Sequence, residues 1–164
     1  MLFNTTTSGR AVRGDRLLLG GWSAIGDATH RVAEALRNIG ASCPCRASGA
    51  TGSCPCCHRA TYGQPCPRCR IIVHNFRQQV EELLAATLRF MPVTIDLVRR
   101  TQGQQAARTL ARVERSVFAL DRKLTRLETR GGEFQHGCPS ADLPILRAVV
   151  AELQSGARTV NELL

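Results

Sequence analysis

The clearest alternation of apolar and polar positions lies in the second half of the chain. Apolar residues recur there at alternating spacings of four and three, at Ala106, Leu110, Val113, Val117, Leu120, Leu124 and Leu127. This spacing predicts an amphipathic helix over 106–127 whose apolar residues form one continuous stripe, which we call the heptad seam. The pair Gly131-Gly132 is expected to end that helix.

The heptad seam needs a surface to pack against, because three heptads are short for a coiled coil that is stable by itself. It can pack inside the monomer or between two chains. We favour the second arrangement, with Lys123 of one chain facing Glu128 of the other. The residues that would hold this homo-oligomer together are Leu110, Val113, Val117, Leu120, Leu124 and Leu127.

Weaker apolar stripes predict further helices. One precedes the seam, and Pro92 is expected to kink or end it; its stripe is Ile72, Phe76, Val80, Leu83, Leu84, Leu88 and Met91. A C-terminal helix is predicted from near Asp142 and Pro144. In the N-terminal part, the glycines at 20, 21 and 26 are expected to keep residues 1–26 irregular, and a short helix should run from Asp27 to Gly40.

The stretch 43–69 follows none of these patterns. It has almost no large apolar residues, yet it contains seven of the eight cysteines. Two C-P-x-C turns, Cys54-Pro-Cys-Cys57 and Cys66-Pro-Arg-Cys69, each direct two thiolates toward one point, and tetrahedral Zn²⁺ binds four such sulfurs at about 2.3 Å. The spacing therefore predicts a structural zinc site formed by Cys54, Cys57, Cys66 and Cys69.

The remaining thiols of this stretch predict a second zinc site. Cys43, Cys45 and Cys56 would supply three ligands, and either His58 or His74 would supply the fourth. We thus expect one or two Zn²⁺ ions. In a segment too poor in apolar residues to fold by burial, metal binding contributes roughly 10–16 kcal/mol of folding free energy.

Two other chemistries also use clustered cysteines. Disulfides require an oxidising compartment, but the N-terminal residues have scattered arginines and no apolar run of the kind that a signal peptide has. An iron–sulfur cluster binds thiolates as well, usually at other spacings. Nucleophilic catalysis would need a base oriented by a third group, which the neighbouring Cys57 and His58 do not indicate. We expect a protein that is not an enzyme.

These patterns predict a small zinc-stabilised Cys-rich module followed by a mostly α-helical region with a heptad (coiled-coil) segment. The predicted division is an N-terminal segment with a short helix over 1–42, the zinc-binding module over 43–70, a helical region over 71–130 and a C-terminal helix over 131–164. The sequence has no run of 18 apolar residues, so no membrane span is predicted.

The charge of the chain indicates a polyanionic partner such as RNA. The formal net charge is +9, and it stays at about +6 if both zinc sites form, because each thiolate site adds negative charge. The cations are almost all arginines, which suit bidentate phosphate contacts. The candidate RNA-binding residues are Arg46, Arg59, Arg68, Arg70 and Arg77 in and beside the module, and Arg108, Arg112, Arg115 and Arg122 opposite the heptad seam.

The order of these motifs resembles the cysteine-rich proteins of rod-shaped plant RNA viruses, of the hordeivirus gamma-b and furovirus types. The likeness is carried by the heptad seam and by Cys54, Cys56, Cys57, Cys66, Cys69 and His74. It implies a zinc-dependent RNA-binding viral protein that suppresses host RNA silencing, self-associates and affects virulence. Small or double-stranded RNA, and viral or host proteins, would be its partners.

The same resemblance implies a location in the host cytoplasm. Some relatives end in a Ser-Lys-Leu peroxisomal signal, whereas this chain ends Asn161-Glu162-Leu163-Leu164, so a peroxisomal location is not expected. Two alternatives remain open from the sequence: a protein–protein adaptor that does not bind nucleic acid, and an iron–sulfur protein, which would be coloured.

The zinc assignment predicts the behaviour of two cysteine variants. Cys57→Ser or Cys66→Ser should lose one zinc per chain in native mass spectrometry and should lower solubility, because each removes one of four ligands. Cys138→Ser, outside the two C-P-x-C turns, is the matched control and should keep the full zinc content. Retention of zinc and solubility in both test variants would contradict the assignment.

Overall fold

Four helices make up the part of the chain that the structure describes. The computed structural model describes residues 6–39, 67–129 and 143–163, with side chains at 20–39, 71–129 and 143–163. The helices are α1 (Thr6–Asn38), α2 (Pro67–Thr101), α3 (Gln104–Thr129) and α4 (Leu143–Leu163). Within these ranges the fold is all-helical and contains no strand.

The helices form an antiparallel bundle in which each packs against its neighbours in the chain and α4 closes onto α1. Arg31 near the end of α1 contacts Glu82 in the first half of α2. Arg77 near the start of α2 contacts Asp121 in the second half of α3. Trp22 in the middle of α1 donates a hydrogen bond from its indole to Asn161 near the end of α4. The first two contacts each join the end of one helix to the beginning of its neighbour, as expected for consecutive helices that run in opposite directions.

This topology gathers two connections at one end of the bundle. The end of α1, the start of α2, the end of α3 and the start of α4 all lie there. The segments 40–66 and 130–142, which join these helix ends, carry seven of the eight cysteines, and the eighth, Cys69, is in the first turn of α2. We call this the cysteine end of the bundle.

The first helix is much longer than the sequence predicted. It begins at Thr6 and runs without interruption through all three glycines that were expected to break it. Glycine costs a helix about 1 kcal/mol, but burial of Trp22, Ile25 and other side chains of α1 in the bundle offsets that cost. Gly21 also fits closely against α2, since a Cβ there would lie 3.2 Å from that of Phe90.

The second helix does not end at Pro92, which was one of the two outcomes that the sequence predicted there. Helix α2 continues to Thr101. Proline removes one backbone N–H and so leaves the carbonyl of residue 88 without its helical partner. Pro92 is on the exposed side of α2, where water can bind that carbonyl. The helix ends at Thr101, and Gly103, whose φ is 91°, turns the chain into α3.

The second helix also begins inside the predicted zinc module. The module was expected to extend to residue 70, but Pro67 to residue 70 already belong to α2. Proline is favoured at the first helical position, where no intrahelical N–H bond is needed. Cys69 is therefore held on a helix, while the other cysteines of the predicted module lie outside the described residues.

The heptad seam packs inside the monomer. Leu110, Val113, Val117, Leu120 and Leu124 are at most 2% exposed, and Leu127 is partly buried against the same core. Their packing partners are α2 and α4. Of the two arrangements left open by the sequence, the structure thus has the intramolecular one, and an interchain coiled coil through these residues would require the bundle to open.

A glycine in α4 brings the seam into close contact with the last helix. A Cβ at Gly156 would lie 2.8 Å from Cγ2 of Val113. Such a distance leaves no room for a side chain, so the absence of one at residue 156 permits the α3–α4 approach. The core they share includes Phe76, Leu83 and Leu146, which are fully buried.

Intramolecular burial predicts that a charged residue in the seam unfolds the monomer. Leu→Ala at a fully buried site costs about 2–5 kcal/mol, and a buried carboxylate costs more. Leu120→Asp should therefore abolish cooperative thermal unfolding monitored by circular dichroism. Ile145→Asp, at an exposed apolar residue of α4, is the control and should keep the transition. A folded, merely dissociated Leu120→Asp chain would show that the seam is intermolecular.

Candidate nucleic-acid interface

Five arginines form the solvent-exposed side of α3. Positions 108, 115 and 122 recur every seven residues, and 112 and 126 lie beside them, so all five face away from the heptad seam. Each side chain is exposed. With a rise of 1.5 Å per residue, the row is about 27 Å long. We call it the arginine face; its members are Arg108, Arg112, Arg115, Arg122 and Arg126.

The arginine face has no carboxylate to neutralise it within the described residues. No ion pair joins any of its five guanidinium groups to a described Asp or Glu. The acidic residues of α3 are Glu114, Asp121 and Glu128, spaced by seven on the flank toward α2. Positive charge is therefore concentrated on one side of the helix, where it can attract an anion at long range.

Sequence reasoning left one member out of the candidate set. Arg126 was not among the predicted RNA-binding residues, although its place four residues after Arg122 already indicated the same side of the helix. In the structure Arg126 is as exposed as its neighbours. Arg115 donates from Nε to the carbonyl of Ala111 at 3.3 Å, which leaves its terminal nitrogens toward solvent.

Arg77, by contrast, is engaged within the monomer. Its Nε lies 3.1 Å from Oε1 of Glu81 and 3.7 Å from Oε2 of Glu128, and its Nη1 lies 3.1 Å from Oδ1 of Asp121. The side chain is only 25% exposed. Three carboxylates thus surround one cation that joins α2 to α3, so we leave Arg77 out of the candidate interface. The sequence could not show this, because the contacts to α3 join residues more than 40 positions apart.

Glu128 belongs to the same cluster of charges, which determines both its partner and its pKa. The sequence favoured pairing of Glu128 with Lys123 of another chain, but its carboxylate lies beside Arg77 of its own chain. Burial raises the pKa of Glu128, and the neighbouring carboxylates of Glu81 and Asp121 raise it further, while Arg77 acts in the opposite direction. Its ionised form is therefore less favoured in the folded protein than in the unfolded chain.

Most of the other predicted site residues lie outside the described side chains. These are Cys43, Cys45, Cys54, Cys56, Cys57, His58, Cys66 and Cys69, together with Arg46, Arg59, Arg68 and Arg70. His74 is described, and it is exposed near the start of α2. Among the described residues, no group of three His, Cys, Asp or Glu side chains is arranged to hold a metal ion. The zinc sites therefore stay a prediction.

One groove lies between α1 and α4, away from the arginine face. It has a volume of about 560 Å³ and is lined in part by Trp22, Asp27, His30, Arg158 and Asn161. The indole of Trp22 is buried and its N–H is bound by Asn161, so this pair fixes the packing of the two helices. Asp27, which the sequence predicted to begin a short helix, lies inside α1.

A search of the described helices for a membrane span found none with the necessary length and apolar character.

No family model matches the chain, and no curated protein or solved structure is significantly similar to it. The geometry and charge of the chain itself are therefore the basis for a functional proposal.

The raised pKa of Glu128 predicts a pH-dependent effect of its neutralisation. The ionised carboxylate destabilises the fold above its folded pKa, and this penalty disappears as the pH falls below the unfolded value of 4.5. Glu128→Gln should therefore raise the free energy of unfolding at pH 7, and the gain should vanish near pH 4. Urea titrations at the two pH values measure this.

Glu34→Gln, at an exposed carboxylate of α1, is the control for this comparison. It should change stability by less than about 0.5 kcal/mol at either pH. A Glu128→Gln variant that is less stable than the natural chain at pH 7 would show that the pairing with Arg77 outweighs burial.

Proposed function

We propose that the chain is a non-enzymatic RNA-binding protein whose arginine face contacts the phosphate backbone. The observation that carries this proposal is the row of five exposed arginines without described carboxylate partners. Arginine presents a rigid fork of donors that matches phosphate oxygens. A row of this kind binds phosphates through charge and position. It offers few groups that could contact the edges of the bases and so distinguish one sequence from another.

The dimensions of the face suit a duplex. Phosphates recur every few ångströms along a duplex, so a row of about 27 Å is long enough to reach several of them. Double-stranded RNA is bound mainly through its shape, its phosphates and its 2′-hydroxyl groups. A straight row of guanidinium groups on a rigid helix fits that mode better than it fits sequence-specific recognition of unstacked bases, which needs stacking side chains.

Zinc has a structural part in this proposal. Cys54, Cys57, Cys66 and Cys69 would hold one ion, and Cys43, Cys45 and Cys56 with His58 or His74 a second. The donor set fits the metal, since thiolates and imidazole are its usual structural ligands. Bound there, zinc would fold the segment at the cysteine end and fix Arg46, Arg59, Arg68 and Arg70 for additional phosphate contacts.

The resemblance to the cysteine-rich proteins of plant RNA viruses extends the proposal to a biological role. A protein that covers small RNA duplexes keeps them from the host silencing machinery, and so acts as a suppressor of RNA silencing and a virulence factor. Multiple weak phosphate contacts, combined over several arginines or chains, give the avidity that such sequestration needs.

The test is a comparison of two triple variants of equal net charge. Replacing Arg112, Arg115 and Arg122 by Gln keeps helix propensity and removes three central charges of the face. It should weaken binding to a labelled RNA duplex and lower the salt dependence of log affinity by about 3, one for each phosphate that an arginine no longer neutralises. Fluorescence anisotropy between about 50 and 200 mM salt measures both quantities.

The control triple replaces Arg37, Arg147 and Arg158 by Gln, at exposed positions on α1 and α4. It should leave the salt dependence close to that of the natural chain. Equal weakening by both triples would mean that only net charge matters and would overturn the assignment to α3. A natural chain that binds RNA no better than an unrelated basic protein would favour the adaptor function instead.

A further inference from the structure

The outer side of α2 carries apolar residues that no other described part of the chain covers. Leu88 is 59% exposed and Val93 is 56% exposed. Ala85 and Pro92 are exposed beside them, and so is Arg89, whose guanidinium lies 5.1 Å from the ring centroid of Phe90. The four apolar residues lie near the middle of a 35-residue helix, and exposed apolar side chains grouped in this way mark a contact surface more often than scattered ones do.

Charges of opposite sign lie at the two ends of this apolar group. Glu81 and Glu82 precede it and Arg99 and Arg100 follow it. Glu81 and Arg99 are each nine residues from Phe90, and Glu82 and Arg100 are each nine residues from Met91. Residues 18 apart are five full turns apart in an α-helix, so each pair lies on one line along the helix.

This arrangement is self-complementary under two-fold symmetry. In an antiparallel pair of α2 helices whose axis passes near residues 90 and 91, Glu81 faces Arg99 of the second copy and Glu82 faces Arg100 of the second copy. Leu88 and Pro92, each two residues from Phe90, face each other across the same axis. We propose that the outer side of α2 is a homodimer surface, which we call the α2 surface, with a second copy of this chain as its occupant.

The charged residues of the α2 surface can change partners at low cost. Within the monomer Glu82 pairs with Arg31 at 3.5 Å and Arg100 pairs with Asp96 at 2.7 Å, and both pairs are largely exposed. Exposed ion pairs of this kind contribute little to stability. Glu81 lies 3.1 Å from Arg77 but is 60% exposed, so its carboxylate can accept a second cation without leaving the first. Arg99 has no ion pair with any described residue. A parallel second copy would place like charges together, so the charge order also sets the antiparallel direction.

The α2 surface replaces the heptad seam as the site of self-association. The seam residues are buried in the monomer, whereas the α2 surface is open in the folded chain. Few apolar side chains contribute, so the interface is smaller than the roughly 1,200–2,000 Å² of standard stable interfaces, and the dimer is accordingly weak and salt-sensitive. This inference does not depend on RNA binding, because the arginine face is on another helix.

Sedimentation equilibrium of the zinc-loaded chain in reducing buffer, without RNA, tests the proposal. The natural chain should show a reversible monomer–dimer equilibrium that weakens as salt rises. Leu88→Asp should reduce the association constant by at least about tenfold, because it places two carboxylates near the two-fold axis. Ile145→Asp, at an exposed apolar residue of α4, is the matched control and should leave association unchanged.

Charge exchange tests the antiparallel alignment itself. Arg100→Glu should weaken the dimer, since it places a like charge opposite Glu82 of the second copy, and the combination of Arg100→Glu with Glu82→Arg should restore it. This pair of positions leaves the contact between Glu81 and Arg77 in place. Circular dichroism shows whether each variant is folded. A natural chain that stays monomeric at all concentrations, a folded Leu88→Asp chain that still dimerises, or a folded double variant without recovery would each overturn the proposal.

Discussion

Burial of the heptad seam inside the bundle is the constraint on which the other features of this protein depend. Seven apolar positions of α3 pack against the helices before and after it, and five of them are at most 2% exposed. Once that side of α3 is committed to the core, its opposite side is necessarily exposed. The arginines at that side form a row because the seam and the arginines share one helical period.

The same constraint divides the charged residues of the chain into two groups. Carboxylates next to the seam lie close enough to α2 to surround Arg77, and they form a partly buried ionic cluster that joins two helices. Arginines farther round the helix have no such neighbours among the described residues. Proximity to the core therefore decides which cations stabilise the fold and which remain available to a phosphate. The antiparallel topology also brings both cysteine-bearing connections to one end of the bundle.

The sequence predicted some of these elements well. The strict 4-3 spacing from Ala106 to Leu127 identified α3 and its buried residues, because a heptad repeat in one helix is a local signal. It also identified four of the five exposed arginines. What it could not decide was whether the seam faced the same chain or another, since either surface satisfies the same pattern. That choice depends on α2 and α4, which close around the seam only in three dimensions.

Other errors have a common physical cause. Gly20, Gly21 and Gly26 were taken to interrupt α1, and Pro92 was taken to end α2, on local propensity alone. Packing along the whole length of both helices outweighs costs of a few kcal/mol in total, and Pro92 lies where water can bind the freed carbonyl. The ionic cluster around Arg77 was missed because its members come from different helices, so no sequence spacing connects them.

Native-state hydrogen exchange across a dilution series tests the central claim most directly. If the seam is buried within each chain, the amides of α3 should be protected as strongly as those of α2, and their protection should not change as the protein is diluted. Protection of α3 that falls on dilution while α2 stays protected would show that another chain supplies the packing, and would contradict the account.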